Sequence, residues 1–518
     1  MRTLAFMIGL LGAMLSSSSQ AEFPGDEYVL DILKARVDTF KQGTGIVVGM
    51  VDSTGVRFVS YGTTHVDRDT PVDENTIYEI GSITKVFASI VLTDMVLKGE
   101  VDLRDPVAKY LPDRVALPTL GDREITLRHL VTHRSGLPRM PDGFIYGGDN
   151  EYYTIGRMYE FLSTCTFAAD IDEKFLYSNL GFGLLGQALA NREGTDVETL
   201  FKRRVSGPLG LDDTRFQLND EQTERAAGGH DWNLEPTVLL NFDALEAAGS
   251  LRSTASNLIS FLKANMGLVD SPLWKTFQTS HVDRDNAIGG RMDIGMGWLL
   301  LENHGREIIW HGGATFGNMA FAGFDKEARR GVVVLANARG VYDDFGLHLL
   351  DPQVKLLRLD DPPGKPEAVD IDVEKLRPLE GEYAIGPNQI LIIRIEDGRV
   401  MGNYNEGMAL EMKAASETEL FFEIAPFVAE FTKRKGKVTE VIWRGYGDGE
   451  VTGKKLEFYR SPPKRARLEE DLNRYAGRYE FEDKDLIFSL SVEGGELVLR
   501  ADDQLPMKLI RIPDGFFA

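Results

Sequence analysis

Ser82 and Lys85 are the two side chains whose spacing most directly suggests chemistry, a hydroxyl and an amine three residues apart in Ile80-Gly81-Ser82-Ile83-Thr84-Lys85. At the start of a helix, positions i and i+3 share a face, so the amine lies beside the hydroxyl. A buried amine loses its proton more readily and can then act as the base that activates a serine nucleophile. Val86, Phe87, Ile90, Val91, Met95 and Val96 make the helix apolar nearly all round, which predicts burial. The helix N-terminus adds N–H donors and a positive field for a developing oxyanion. About one Ser-x-x-Lys is expected by chance in a chain of this length. Ser461-Pro462-Pro463-Lys464 is such a match, and its two prolines exclude the interior of a helical turn.

Two further segments carry groups that suit the same chemistry. Tyr177-Ser178-Asn179 is the only Tyr-x-Asn in the sequence. A tyrosine near a cationic lysine ionises more easily and can serve as a general base, and the amide of Asn179 can orient substrate or lysine. In Trp310-His311-Gly312-Gly313-Ala314, paired glycines let a strand approach a substrate closely, and the next backbone N–H can complete an oxyanion hole. Taken singly, the tyrosine reads as a core residue beside a turn asparagine, and the glycines as a tight turn. Competing signals are weaker. No Gly-x-Ser-x-Gly occurs. His129 and His133 have the spacing of zinc ligands on a helix, but Leu130-Val131-Thr132 lacks the glutamate of a His-Glu-x-x-His protease. Both read as structural histidines, and Asp67-Arg68-Asp69 reads as a solvated loop.

These groups need a scaffold, and the chain divides to supply one. From residue 22 to about 360, strand-like and helix-like stretches alternate. Gly45–Val51 and Gly331–Ala336 are apolar, β-branched runs, and helical patterns cover Ile83–Lys98, Gly181–Ala190 and Thr254–Met266. Strands at both ends with helices between predict one mixed α/β domain whose terminal segments share a sheet. Residues 361–378, opening on Asp361-Pro362-Pro363-Gly364, form a linker. Beyond it, short alternating strands separated by Asp-Gly and Gly-Gly turns predict small antiparallel β domains, at 379–460 and 461–518. The two are an internal repeat. Leu379–Tyr383 recurs as Tyr475–Tyr479, Glu396–Gly398 as Glu493–Gly495, and Met412–Phe422 as Met507–Phe517. The second copy is shorter than the first.

Composition narrows the partners. The 518 residues carry 80 acidic and 58 basic side chains, a net charge of −22 that argues against nucleic acid or an anionic membrane surface. A hydrophobic content of 43% with 27% charged residues excludes a mostly disordered chain. One cysteine, Cys165, excludes an internal disulfide and a cysteine-rich metal site. Arg2, the apolar run Leu4–Leu15 and the small-x-small Ser19-Gln20-Ala21 predict a signal peptide over residues 1–21. The run is too short to span a bilayer, and no cysteine follows for lipidation, so a secreted or periplasmic protein without a membrane anchor is expected.

In this order, Ser-x-x-Lys, Tyr-x-Asn and His-Gly-Gly resemble the motifs of the penicillin-recognising serine hydrolases, in their class C β-lactamase-like branch. That branch includes β-lactamases, D,D-peptidases, D-aminopeptidases and family VIII carboxylesterases. Leu130–Leu137, Pro208–Leu211 and Ala248–Thr254 strengthen the likeness, which covers roughly Asp31 to Arg339. The C-terminal repeats are similar to the lipocalin-like barrels appended to some members. The resemblance implies an antiparallel sheet flanked by helices, with a helical region over the cleft. It implies Ser82 as nucleophile, Lys85 and Tyr177 as proton-transfer groups, and His311 as a fourth catalytic group. Asn179, Gly312, Gly313 and Ala314 would contact substrate, with the N–H groups of Ser82 and Ala314 forming the oxyanion hole. An acyl-enzyme follows, with no cofactor and no metal.

One departure bears on substrate. Where β-lactamases and D,D-peptidases place Lys-Thr-Gly, this chain places His311-Gly312-Gly313. The lysine and threonine of that motif help hold a substrate carboxylate. An imidazole near pH 7 is mostly neutral, and losing one charge-assisted contact costs about 1.5–3 kcal/mol. An amidase or peptidase on small amides or short peptides, D-aminopeptidase-like, is therefore expected. A carboxylesterase, a weak β-lactamase or D,D-carboxypeptidase, and a catalytically silent cell-wall-binding sensor are the alternatives. Should a carboxylate be held after all, Arg134 and Arg252 are the cations to consider.

Overall fold

A computed structural model describes residues 23–455 apart from 142–143, 145–152, 232–233, 241, 283–284, 290–291, 341, 357–365, 367 and the turns at 387–388, 397, 405–409, 423–427, 435 and 445–450. It also gives the backbone of five strands between 477 and 517. The residues predicted as a signal peptide, most of the predicted linker and Ser461–Lys464 lie outside the described residues.

The first part is built on a nine-stranded antiparallel sheet. Its strands are β1 (Gly45–Asp52), β2 (Gly55–His65) and β3 (Arg68–Pro71), then, after a two-stranded pair β4 (Tyr78–Glu79) and β5 (Arg252–Ser253), β6 (Asp285–Gly289), β7 (Met292–Ile294), β8 (Leu299–Asn303), β9 (Arg306–Ala314), β10 (Met319–Asp325) and β11 (Arg330–Ala336). The order across the sheet is β3-β2-β1-β11-β10-β9-β8-β7-β6. The two apolar ends of the domain do share the sheet: β1 pairs with β11 in the register Ile46 to Ala336 and Val48 to Val334.

Alternation along the strands divides the core in two. Ile46, Val48, Ile308, Trp310, Phe321 and Val334 face the helices Asp26–Lys34 and Asp343–Leu350. Val47, Ile309, Ala320, Ala322, Val333 and Leu335 face the larger helical region, which holds Thr84–Leu97, Asn179–Glu193 and Ala255–Asn265. The helix after Ser82 is buried from Thr84 to Met95, as its all-round apolarity requires, and Phe87 stacks on Phe261 at 4.6 Å.

Residues 381–455 close into an eight-stranded antiparallel barrel. Tyr383, Leu391, Ile393, Met412, Leu420, Phe422, Phe431 and Val441 fill its interior, together with Leu376 and Leu379 from the short helical segment that leads in. Gly402 makes room for this packing, since a Cβ there would lie 2.4 Å from the Met412 sulfur. The segment 456–518 is a separate compact unit. It is a five-stranded antiparallel meander whose second hairpin turns at Glu493 opposite Glu496, as the barrel's second hairpin turns at Glu396 opposite Arg399.

Candidate active site

Ser82 sits in a single 3-10 turn, Gly81–Ile83, that runs directly into the helix Thr84–Leu97. The turn is clamped from both sides. Thr84 Oγ1 donates to the Gly81 carbonyl at 2.6 Å and accepts the Leu251 N–H at 3.1 Å, while the Ile80 N–H donates to the Leu251 carbonyl at 3.0 Å. Gly81 has φ +49°, and a Cβ there would meet the Ala314 backbone nitrogen at 2.6 Å. Only glycine permits both that conformation and that approach.

Lys85 has no exposed surface, and its Nζ is 3.0 Å from Ser82 Oγ. On the other side the amine donates to the Ala248 carbonyl at 2.5 Å. Burial pushes the amine well below the usual lysine range, and the charge of Arg139 adds to the effect. A neutral amine that donates to Ala248 keeps a lone pair for the serine proton. Ala248 ends the turn Asp243–Ala248, which lies against the helix Asn179–Glu193. Gly183 and Gly186 on that helix admit it: a Cβ would lie 2.5 Å from Leu245 Cδ2 at the first and 2.3 Å from Ala247 Cβ at the second.

Ser178 caps the same helix, accepting the Gly181 N–H at 2.9 Å and donating to the Pro138 carbonyl at 2.7 Å. Its neighbours Tyr177 and Asn179 are thereby fixed at the helix N-terminus. The Tyr177 ring centroid is 4.8 Å from Lys85 Nζ. His133 stacks on that ring at 4.3 Å, and its Nδ1 accepts the Ser178 N–H at 3.1 Å, which leaves the proton of the neutral ring on Nε2. The Arg139 guanidinium carbon lies 4.9 Å from the same ring centroid. Asn179 is buried; its Nδ2 donates to the Met140 sulfur at 3.2 Å, and its Oδ1 is buried without a partner.

β9 brings the third motif to the serine. A Cβ on Gly313 would lie 2.0 Å from the Ile80 carbonyl, so the strand can pass the serine turn only with glycine there. Because the Thr315 N–H bonds the Asn318 carbonyl, alternation of the ladder directs the Ala314 N–H away from Met319. Ala314 is exposed, and Gly81 is the close neighbour of its N–H. His311 lies on the face of the sheet shared by Ile309 and Gly313, is buried, and places its Nδ1 2.5 Å from the Gly312 carbonyl. Burial, then the Lys85 charge, pulls its pKa down to about 4, so it is neutral at pH 7. Gly312 points the other way, toward Asp343, where a Cβ would meet the carboxylate at 2.7 Å. Ser82, Lys85, Tyr177, Asn179, His311, Gly313 and Ala314 converge; Gly312 serves the packing behind them.

Neither arginine named as a possible carboxylate anchor is placed for it. Arg134 donates to the Asp172 carboxylate at 2.6 Å and to its carbonyl at 2.8 Å. Arg252 is bonded to the Phe216 carbonyl and lies 3.6 Å from Glu79. Among the described residues, the arginine that lies over the Tyr177 ring is Arg139, which follows Gly136-Leu137-Pro138. His133 belongs to the site as well, although its type and spacing with His129 suggested only a structural part. His129 does play that part, accepting the Thr126 N–H at 3.1 Å in a helix cap. Nothing in the sequence singles out Glu79, which is buried and ties the serine segment to the turn beyond Ala314. It accepts the Leu240 N–H at 2.7 Å and faces Asn318 Nδ2 at 3.4 Å, and burial raises its pKa against the pull of Arg252.

The chain is similar to several known proteins. A family profile described as Beta-lactamase matches residues 33–351. The chain is 33% identical over 229 residues to the D-alanyl-D-alanine-carboxypeptidase/endopeptidase AmpH of Escherichia coli (strain K12), a match covering 43% of this chain and 60% of that protein. It is 29% identical over 261 residues to a Beta-lactamase of Pseudomonas fluorescens, covering 49% and 69% respectively. Among solved structures, the Beta-Lactamase/D-Alanine Carboxypeptidase from Pseudomonas syringae superposes with a TM-score of 0.56 at 21% identity, over 64% of this chain and 99% of that one. The last likeness is one of fold.

Proposed function

The chain belongs to the beta-lactamase family of serine hydrolases, and from that membership we propose that it cleaves small amides and short peptides through an acyl-enzyme on Ser82. Lys85 takes the Ser82 proton as Oγ attacks the carbonyl carbon. The oxyanion that forms is met by the N–H groups of Ser82 and Ala314. Tyr177 passes a proton to the departing amine, and the same groups then activate the water that releases the acid. Asn179 orients the substrate through its amide.

The observation that carries this reading is the buried, neutral-leaning amine of Lys85 at 3.0 Å from Ser82 Oγ. Amides and peptides are favoured over β-lactams because His311, uncharged at pH 7, stands where a carboxylate-binding lysine would otherwise be. The name of the 33% identical relative, a carboxypeptidase and endopeptidase, also points toward peptide bonds. With its leader removed, the enzyme acts in the periplasm or outside the cell. A hydrolysis panel tests the assignment: D- and L-amino acid anilides, D-Ala-D-Ala peptides, short-chain nitrophenyl esters and nitrocefin. An amide or ester without a carboxylate should exceed nitrocefin by at least about one decade in kcat/KM. The opposite order would refute it.

A further inference from the structure

We propose that Arg139 is a specificity-determining residue that recognises a carboxylate carried by the substrate, on the Tyr177–Asn179 side of the cleft. The proposal rests on Ser82 being the nucleophile.

Three observations meet at this side chain. First, Arg139 is exposed and lies over Tyr177, 4.9 Å from the ring centroid. A guanidinium lying on a ring is held by its face, and its N–H edge stays available for a carboxylate, which it matches bidentately. Second, no carboxylate among the described residues lies within ion-pair distance of it, whereas Arg134 and Arg252 are already engaged with Asp172 and Glu79. In a chain of net charge −22, an exposed cation beside Tyr177 attracts an anionic group that the rest of the surface repels.

Third, its backbone is pinned to the start of the helix that carries Asn179. The Arg139 carbonyl accepts the Asn179 N–H at 2.9 Å and the Leu180 N–H at 3.3 Å. The sulfur of the next residue, Met140, accepts from Asn179 Nδ2. Arg139 is thus fixed at the N-terminus of the helix that begins at Asn179, while β9 offers a neutral imidazole at His311.

Three activated esters test this: 4-nitrophenyl acetate, 4-nitrophenyl hydrogen succinate with its carboxylate on the acyl group, and 5-acetoxy-2-nitrobenzoate with its carboxylate on the leaving group. Rates on Ser82→Ala are subtracted as background, so equal rates in parent and Ser82→Ala would condemn the nucleophile and not the arginine. For the parent, Arg139→Ala and Arg139→Lys, the quantity read is kcat/KM on each anionic ester divided by that on the neutral one. Arg139→Ala should lower the ratio at least about tenfold, mainly through KM, for whichever ester places its carboxylate at the guanidinium, and Arg139→Lys should restore part of it. A fall of less than about threefold on both anionic esters overturns the proposal.

Discussion

Lys85 Nζ stands between two oxygens, 3.0 Å from Ser82 Oγ and 2.5 Å from the Ala248 carbonyl. The carbonyl takes one N–H and so aims the amine at the serine. It is delivered by a turn that approaches a helix only because Gly183 and Gly186 lack side chains. Gly186→Val should therefore push the turn outward and lower kcat by at least about tenfold, with a stability loss of about 1–3 kcal/mol from overpacking. Turnover and thermal unfolding of the variant check this; full activity would show that the carbonyl contact is dispensable.

The proton-transfer groups should behave as positioned acids and bases. Lys85→Ala and Tyr177→Phe are each expected to lower kcat by at least about two decades, with the fold intact by circular dichroism. Ser461→Ala, in the proline-blocked Ser-x-x-Lys, should leave turnover unchanged.

The pH profile follows from the environment of the amine. Burial and Arg139 hold the Lys85 pKa well below the usual lysine range. His133 and His311 face it as neutral rings, burial having lowered both, His311 to about 4. With the neutral amine as the proposed active form, kcat/KM should rise with pH through the lowered Lys85 value and reach its plateau well short of about 10.5. Removing the repelling charge in Arg139→Ala lets Lys85 keep its proton to higher pH. The acidic limb should move upward, and a limb that stays in place or moves down contradicts the electrostatics.

His133 is expected to position Tyr177. It has φ +57°, stacks on the ring and accepts the Ser178 N–H. His133→Ala leaves that N–H buried without a partner, at a cost of about 1–3 kcal/mol, and frees the tyrosine ring. His133→Asn tolerates the left-handed backbone and can supply an acceptor. Turnover should fall at least about tenfold in the alanine variant and recover in part in the asparagine variant. Equal activity in parent and alanine variant would reduce His133 to packing.

Much of this was legible in the residues themselves. Ser82 and Lys85 share a helical face, which i and i+3 spacing dictates, and the burial of Lys85 follows from the apolar neighbours of its helix. The pairing of β1 with β11 follows from two β-branched runs that each bury both faces. The rest depends on tertiary placement. Gly312 and Gly313 are identical in type, yet strand alternation sends one toward Asp343 and the other toward the serine turn. Arg139 and Arg134 are both surface-seeking cations in one loop. Only the chain path shows that Asp172 takes Arg134 while Tyr177 lies under Arg139. Glu79 has no periodic or motif signal, because what makes it a bridge is a turn more than two hundred residues away.

An activated Ser82 reacts covalently with electrophiles that other serines resist, and labelling reads that reactivity. The protein is treated with a fluorophosphonate probe, digested, and the modified peptide identified by mass spectrometry, in parallel with Ser82→Ala and Lys85→Ala. The expected result is one adduct, on Ser82, absent from Ser82→Ala and formed at least about a hundredfold more slowly in Lys85→Ala. An adduct on another residue, or undiminished labelling of Ser82→Ala, would contradict it.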